Sequence, residues 1–216
     1  MNYLKANPDF LIIGGGIFGC SIAWNLSRRS SGSVLLLERL ELASATTPRA
    51  AGLIRNLNLS QGQTALKTHT IDTIELLGEE LEEPLHWHQV GGLLVAESES
   101  NISYLEALEK HSFKPLGNFQ WIERAEAEEM VPWLDASKAN KFALIPDDGF
   151  IDPYLFAQFY ARAAKKHGAV LKTGIEVTAL QKSENRITGV QTTQGDISAG
   201  CVIDAAGPWA GLVALE

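Results

Sequence analysis

The run Gly14-Gly15-Gly16-Ile17-Phe18-Gly19 constrains this chain more than any other feature. It satisfies G-x-G-x-x-G, a pattern that is weak in isolation because glycine-rich turns are common. Its surroundings give it weight. An apolar stretch, Phe10 to Ile13, reads as a strand before it, and a helical pattern from Ile17 follows, with Phe18, Ile22 and Leu26 at fourfold spacing. The next apolar run ends at Glu38, nineteen residues after Gly19, where a dinucleotide-binding βαβ unit places its acidic residue. Each position has a physical task. Gly14 permits the tight turn, Gly16 lets backbone approach a pyrophosphate, and Gly19 lets helix pack closely on strand. The helix N-terminus then turns its partial positive charge toward the phosphates. Glu38 would accept hydrogen bonds from ribose hydroxyls and would repel a 2'-phosphate, which disfavours NADP. The bland alternative is a structural glycine turn followed by a merely solvated Glu38. The fingerprint does not separate FAD from NAD.

Composition narrows the class. The chain has 216 residues, a net charge of -8, 45% hydrophobic and 20% charged residues, so it is long enough to bury a core and is neither disordered nor a small disulfide scaffold. Its acidic balance and lack of a Lys/Arg block exclude nucleic acid as an expected partner. Cys20 and Cys201 are too few for a stapling framework and both sit in apolar segments, which fits a reducing compartment and a cytoplasmic location. Leu11 to Leu26 carries no charge, yet sixteen residues broken by three glycines fall short of the roughly 20 that a spanning helix needs. No small-residue cleavage site follows, so neither a signal peptide nor a membrane span is expected.

Further along, a strand spans Val34 to Glu38, and Leu66, Ile71, Ile74, Leu77 and Leu81 mark an amphipathic helix. A strand around Gly92 to Ala96 and a helix around Ile102 to His111 come next. Asp147-Asp148 reads as a turn. Asp152 and Pro153 open a helix as N-cap and first-turn proline, with Gly168 at its end. The tail reads as strands at Val170 to Lys172, Glu176 to Lys182, Arg186 to Thr193 and Ile197 to Asp204, with Asn185 and Gly195 as turn residues.

Beyond the glycine turn, several segments carry a resemblance. Asp9 to Leu37 with Glu38-Arg39, then Ala45-Thr46-Thr47-Pro48-Arg49-Ala50-Ala51-Gly52-Leu53, resembles the N-terminal region of the glycine oxidase, sarcosine oxidase and D-amino-acid oxidase family. Val90 to Leu94, Asp148 to Pro153 and Val202 to Ala210 are similar to later segments of that family, in order. The resemblance implies an α/β fold: an FAD-binding Rossmann-like βαβ domain interleaved with part of a mixed-sheet substrate domain. It implies FAD-binding segments at residues 1–80 and 151–216, a substrate-domain segment at 81–150, and oxidation of a carbon–nitrogen bond in a small amine or amino acid. Two rival readings stay open: a flavin-dependent 2-hydroxy-acid or glycerol-phosphate dehydrogenase on the same fold, and a non-catalytic flavin-binding subunit.

Carried over by position, Ile17 and Phe18 lie in the phosphate turn beside Gly14, Gly16 and Gly19, while Glu38 and Arg39 flank ribose and adenine. Thr46, Thr47, Ala51, Gly52 and Leu53 would wrap the pyrophosphate and approach the isoalloxazine. Two hydroxyls among small residues suit that task, because they let backbone N–H groups reach an anionic ligand. Val177 resembles the position whose backbone contacts adenine, and is equally well an ordinary strand valine. Ala206, Gly207 and Trp209 fall in the second flavin-contacting turn. Some relatives tether flavin through a histidine in a Thr-Thr-Trp-His-Ala-Ala-Gly type sequence; Pro48-Arg49 stands there in this chain, so the flavin is expected to be noncovalent. Arg55 resembles an arginine that holds the substrate carboxylate near the flavin, a job its bidentate fork suits, and is equally well a surface residue. His86 and His88 share one face of a short strand and read as a solvent-facing or interface pair, with no third partner for a metal. The resemblance covers somewhat more than half of a family member and stops just after Trp209. The remainder would supply most substrate-carboxylate ligands, so 216 residues alone are expected to be inactive and to associate, either with copies of themselves or with a complementary chain.

Overall fold

A computed structural model describes residues 7–55, 57, 59–110 and 118–215. In chain order, the first half runs β1 (Phe10–Ile13), α1 (Ile17–Arg29), β2 (Val34–Leu37), β3 (Leu53–Ile54), α2 (Gln61–Leu81), β4 (Trp87–His88), β5 (Gly92–Ala96) and α3 (Glu99–Lys110). The second half runs β6 (Gln120–Ile122), α4 (Arg124–Met130), β7 (Lys141–Ile145), β8 (Gly149–Ile151), α5 (Pro153–Lys166), β9 (Val170–Lys172), β10 (Val177–Ser183), β11 (Arg186–Thr192), β12 (Gly195–Ser198), β13 (Cys201–Asp204) and α6 (Ala210–Leu215). Two compact units result. One comprises Met1–Ala50, Leu77–Leu85 and Asp152–Glu216, the other Ala51–Leu76 and His86–Ile151. The divisions expected at 80/81 and 150/151 therefore become several, because α2 is one continuous helix whose last turns belong with the first unit.

The first unit is built on a parallel sheet in the order β13-β1-β2-β9. Leu11, Ile12, Leu35 and Leu36 are buried on both faces of it, as a sheet covered on two sides requires. One face packs on the antiparallel β10-β11-β12 sheet through Leu11, Ile13, Leu35, Leu37, Val190 and Ile197. α1 and α5 pack on each other, with the Trp24 and Tyr160 rings 5.4 Å apart. Trp24 also donates its indole N–H to Glu80 Oε2 at 2.8 Å. α5 starts where expected: Asp152 Oδ1 accepts from the N–H groups of Tyr154 and Leu155 at 2.8 and 3.1 Å, Pro153 fills the first position, and Gly168 follows the helix at φ +90°.

Two expectations change. The tail strand expected over Ile197 to Asp204 is two strands in two different sheets, separated at Ala199-Gly200. The chain switches partners there, since Ala199 N–H bonds Thr188 O while Gly200 N–H bonds Pro8 O, and a Cβ at Gly200 would stand 3.0 Å from Asp9 O. The β10–β11 hairpin turns through Glu184 and Asn185, the latter as expected, with Glu184 taking the left-handed backbone at φ 53°. The helix expected from Leu66 begins at Gln61, and Leu66 is 69% exposed while Lys67, Thr73, Ile74 and Leu77 are buried, so the buried face does not extend back to Leu66. His111 lies outside the described residues.

The second unit holds two three-stranded sheets, β3-β8-β4 and β5-β7-β6. Gly149 is required in β8, because a Cβ there would stand 2.2 Å from His88 O and 2.5 Å from the Trp87 ring. Its core gathers Ala96, Leu105, Leu108, Ala143 and Ile145 on one side of β5-β7-β6 and Ala127, Ala136, Ala139 and Phe142 in a second cluster. Among the described residues no helix is long and apolar enough to cross a membrane.

Candidate functional site

The site of the first unit starts at the carboxyl end of β1. Gly14 takes φ +105° and donates its N–H to Leu37 O at 2.8 Å, tying the turn to β2. A side chain is excluded there, since a Cβ would lie 2.5 Å from Ala205 O. Gly16 is the N-cap of α1 in an extended conformation. Gly19, one turn into α1, lies against the turn itself: a Cβ would come within 1.8 Å of Gly14 O. The roles expected of Gly14 and Gly19, a turn and a close approach, are thus both met in the geometry. Phe18, inside the same motif, is 72% exposed.

No acidic residue occupies the first turn of α1, so the positive end of the helix is not neutralised by its own side chains. Thr47 Oγ1 accepts the Ile17 N–H at 3.1 Å. A hydroxyl that accepts one bond retains a hydrogen to donate, which suits it to a phosphate oxygen. Glu38 is tied into the turn. Its Oε2 accepts the Gly15 N–H at 2.7 Å and its Oε1 the Leu40 N–H at 2.8 Å, so the carboxylate clamps the glycine turn to the exit of β2. Two carboxylate oxygens offer about four acceptor sites, leaving room for sugar hydroxyls. Cys20, buried beneath the turn, has its thiol pushed up to about 12 by burial, with Glu38 adding to the shift, and is an inert protonated thiol. The second cysteine, Cys201, opens β13 and is exposed.

These residues border a cavity of about 670 Å³. Gly14, Gly16, Ile17, Phe18, Glu38, Arg39, Thr46, Thr47, Val177, Ala206, Gly207 and Trp209, all expected at a cofactor site, line it, whereas Gly19 is buried behind the turn. Val177 opens β10 at a register shift against β11. Gly207 takes φ +59°. The Arg39 guanidinium lies 4.3 Å over the Trp209 ring and 4.0 Å from Glu176 Oε1. Sequence reasoning missed Ile175, Glu176, Ala179, Leu212 and Val213 on the far wall, which carry no local motif and reach the cavity only through tertiary packing.

Other expected residues lie elsewhere. Ala51, Gly52 and Leu53 belong to the second unit and do not line this cavity, because the chain leaves it after Ala50 and enters β3, where Gly52 O accepts the Ile151 N–H at 3.0 Å. Arg55 is exposed directly after β3. Arg49, where some relatives carry histidine, turns back on its own loop and donates to Ser44 O at 3.3 Å and to Ala45 O. His86 lies outside the two-residue strand β4, and exposed His88 stacks on Phe150 with centroids 4.8 Å apart. Among the described residues no group of three or more His, Cys, Asp or Glu could hold a metal ion. Asp148, read as half of a turn, is buried and interacts electrostatically with Lys67, an ammonium that burial lowers to about 8.

The profile of a family described as FAD dependent oxidoreductase matches residues 9–216. The chain is 31% identical over 206 residues to mitochondrial dimethylglycine dehydrogenase of Homo sapiens, covering 95% of this chain and 24% of that protein. It is also 31% identical, over 228 residues, to mitochondrial sarcosine dehydrogenase of Homo sapiens, covering 97% and 24%. Among solved structures, glycine oxidase from Geobacillus kaustophilus has a TM-score of 0.84 to this fold at 25% identity, covering 98% of this chain and 58% of that one. The chain thus spans about a quarter of the length of those curated relatives and somewhat more than half of the solved one. A match that continues from the glycine turn through the second unit and back to the far wall of the cavity makes this chain a member of the FAD-dependent oxidoreductase family.

Proposed function

We propose that this chain carries the cofactor site of an enzyme that oxidises the carbon–nitrogen bond of a small amino acid or N-methyl amino acid. The cavity at the carboxyl end of β1 carries the reading. Gly16, without a side chain, opens it toward the helix N-terminus, and the Cβ that is missing there would meet only Thr47 Oγ1, at 3.2 Å. A diphosphate fits such a cradle of backbone N–H groups, Thr47 hydroxyl and helix dipole. Glu38 would take the ribose hydroxyls, and Arg39, Val177 and Trp209 would border the rest of the dinucleotide. When bound, FAD supplies the hydride acceptor.

The protein's own part is to bind, orient and exclude water. Arg49 is committed to backbone carbonyls of its loop, which supports noncovalent flavin. Arg55 is the candidate for holding a substrate carboxylate through its planar fork. The amino-acid and N-methyl amino-acid substrates rest on the names of the relatives: dimethylglycine and sarcosine dehydrogenases and a glycine oxidase. Two cysteines without a disulfide support a cytoplasmic location, although two of these relatives are named as mitochondrial, and fractionation of the native cell decides between them.

The test is anaerobic mixing of the full-length, flavin-loaded protein with sarcosine, dimethylglycine and glycine, and separately with 2-hydroxyglutarate and glycerol 3-phosphate. Bleaching of the visible flavin band by an amine is the expected result. Bleaching only by a hydroxy compound overturns the carbon–nitrogen reading.

A further inference from the structure

Two residues that line the cavity of the first unit, Arg39 and Trp209, touch each other. Arg39 stands two residues beyond β2 and Trp209 five residues beyond β13, and β2 and β13 are the two parallel neighbours of β1. Their side chains meet, with the guanidinium carbon 4.3 Å from the indole centroid. The contact therefore runs from one flank of β1 to the other beyond its carboxyl end, where the glycine turn begins. Both residues line the cavity, and Arg39 is the one cation among the described lining residues, opposite the carboxylates of Glu38 and Glu176. Glu176, 4.0 Å away on an exposed surface, steers the guanidinium but adds little energy. A planar guanidinium over tryptophan is the favoured form of a cation–π contact, and it can be broken and remade without backbone rearrangement.

We propose that the Arg39–Trp209 stack is a strap that opens to admit a dinucleotide and recloses over it, so that a cofactor held by no covalent bond is retained by a slow gate. The proposal rests on the reading of this cavity as the FAD site. It has a kinetic signature that an ordinary contact residue lacks. A contact made both with the cavity empty and with it filled is broken during passage, so it slows entry as well as exit. A residue that simply touches bound cofactor slows exit alone.

The experiment measures association and dissociation of FAD separately on the full-length protein. The flavin is removed and re-added, association is followed by quenching of its fluorescence, and dissociation by transfer to an excess of a scavenging apoflavoprotein. Trp209→Leu and Arg39→Gln should each raise both rates about 2- to 30-fold, the worth of a cation–π contact. Trp209→Phe, which keeps an aromatic face, should fall between them and the wild type. Arg39 is exposed, so its substitution gives the same test if the Trp209 variant misfolds. Faster dissociation with unchanged association makes Trp209 a plain cofactor contact and overturns the strap, as do two unchanged rates. A wild-type protein that takes up no FAD overturns the reading of the cavity and the strap with it.

Discussion

Replacing Gly16 with valine separates what the glycine turn does for the fold from what it does for the cofactor. The Gly16 backbone, at φ -75° and ψ -173°, is one that any residue adopts, and a Cβ there meets a single neighbour, Thr47 Oγ1 at 3.2 Å. Thr47 is a side chain that can rotate, so the fold loses at most the Ile17–Thr47 hydrogen bond, about 0.5–1.5 kcal/mol. Removing glycine's freedom from the unfolded chain returns about 0.4–1 kcal/mol. The melting temperature should then move by less than about 4 °C, given about 2–4 °C per kcal/mol at this chain length. Binding is a different matter, because Gly16 lines the cavity in front of α1 and, on the proposed reading, the valine methyls would take the space of a bound diphosphate. Losing one charge-assisted hydrogen bond costs about 1.5–3 kcal/mol, so one or two of them lower FAD affinity by about 10- to more than 1000-fold. Flavin titration followed by fluorescence, beside a thermal melt by circular dichroism, reads both effects. Normal affinity in a folded Gly16→Val protein would refute the phosphate-turn assignment.

Gly19→Ala should behave oppositely. Its Cβ would stand 1.8 Å from Gly14 O, a backbone clash whose overpacking cost of about 1–3 kcal/mol or more exceeds the roughly 1 kcal/mol of helix propensity that alanine adds, so a chemical-denaturation midpoint falls even without cofactor. Asp152→Ala removes the acceptor of two α5 N–H groups and should lower stability by about 0.5–2 kcal/mol, read from the same melts, with FAD affinity per folded molecule intact. Lys67 gives a pH signature. Its ammonium is lowered from 10.5 to about 8 by burial, against the opposing pull of Asp148 and Asp147, and its Nζ finds no hydrogen-bond partner among the described residues. Between about pH 8 and 10.5 the unfolded chain therefore binds the extra proton, so this lysine's contribution to stability rises with pH across that window and its penalty is fully present below it. The difference in unfolding free energy between wild type and Lys67→Met should climb by on the order of 2 kcal/mol from pH 8 to 10.5; a flat difference means the amine is not buried.

How much of this was legible beforehand depends on the range of the interaction. The βαβ unit and its glycines could be read because each demand is local: Gly14 needs a positive φ, Gly19 must approach a carbonyl five residues away, and Glu38 follows at the end of the next strand. The Asp152-Pro153 cap could be read for the same reason, since its hydrogen bonds reach only two and three residues ahead. The break at Ala199-Gly200 could not. An apolar run gives no sign of which strand its two halves will pair with, and here they join different sheets. Nor could the departure of Ala51, Gly52 and Leu53 from the cavity, which follows from β3 pairing with β8 nearly a hundred residues later.

The local sequence by itself determined a glycine turn between strand and helix and an acidic residue at the end of the next strand, because φ/ψ limits, helix dipoles and hydrophobic periodicity act over a few residues. Only the tertiary structure decided what closes around them. β13 joins β1 in parallel and brings Ala206, Gly207 and Trp209 to the turn, β10 adds Val177 to the lining, and Arg39 finds Trp209 across 170 residues of chain. Those contacts carry no periodic signal of their own. They exist because burying the two faces of one parallel sheet fixes where its neighbours must lie, and the cavity is the space that this arrangement leaves at the strands' carboxyl ends.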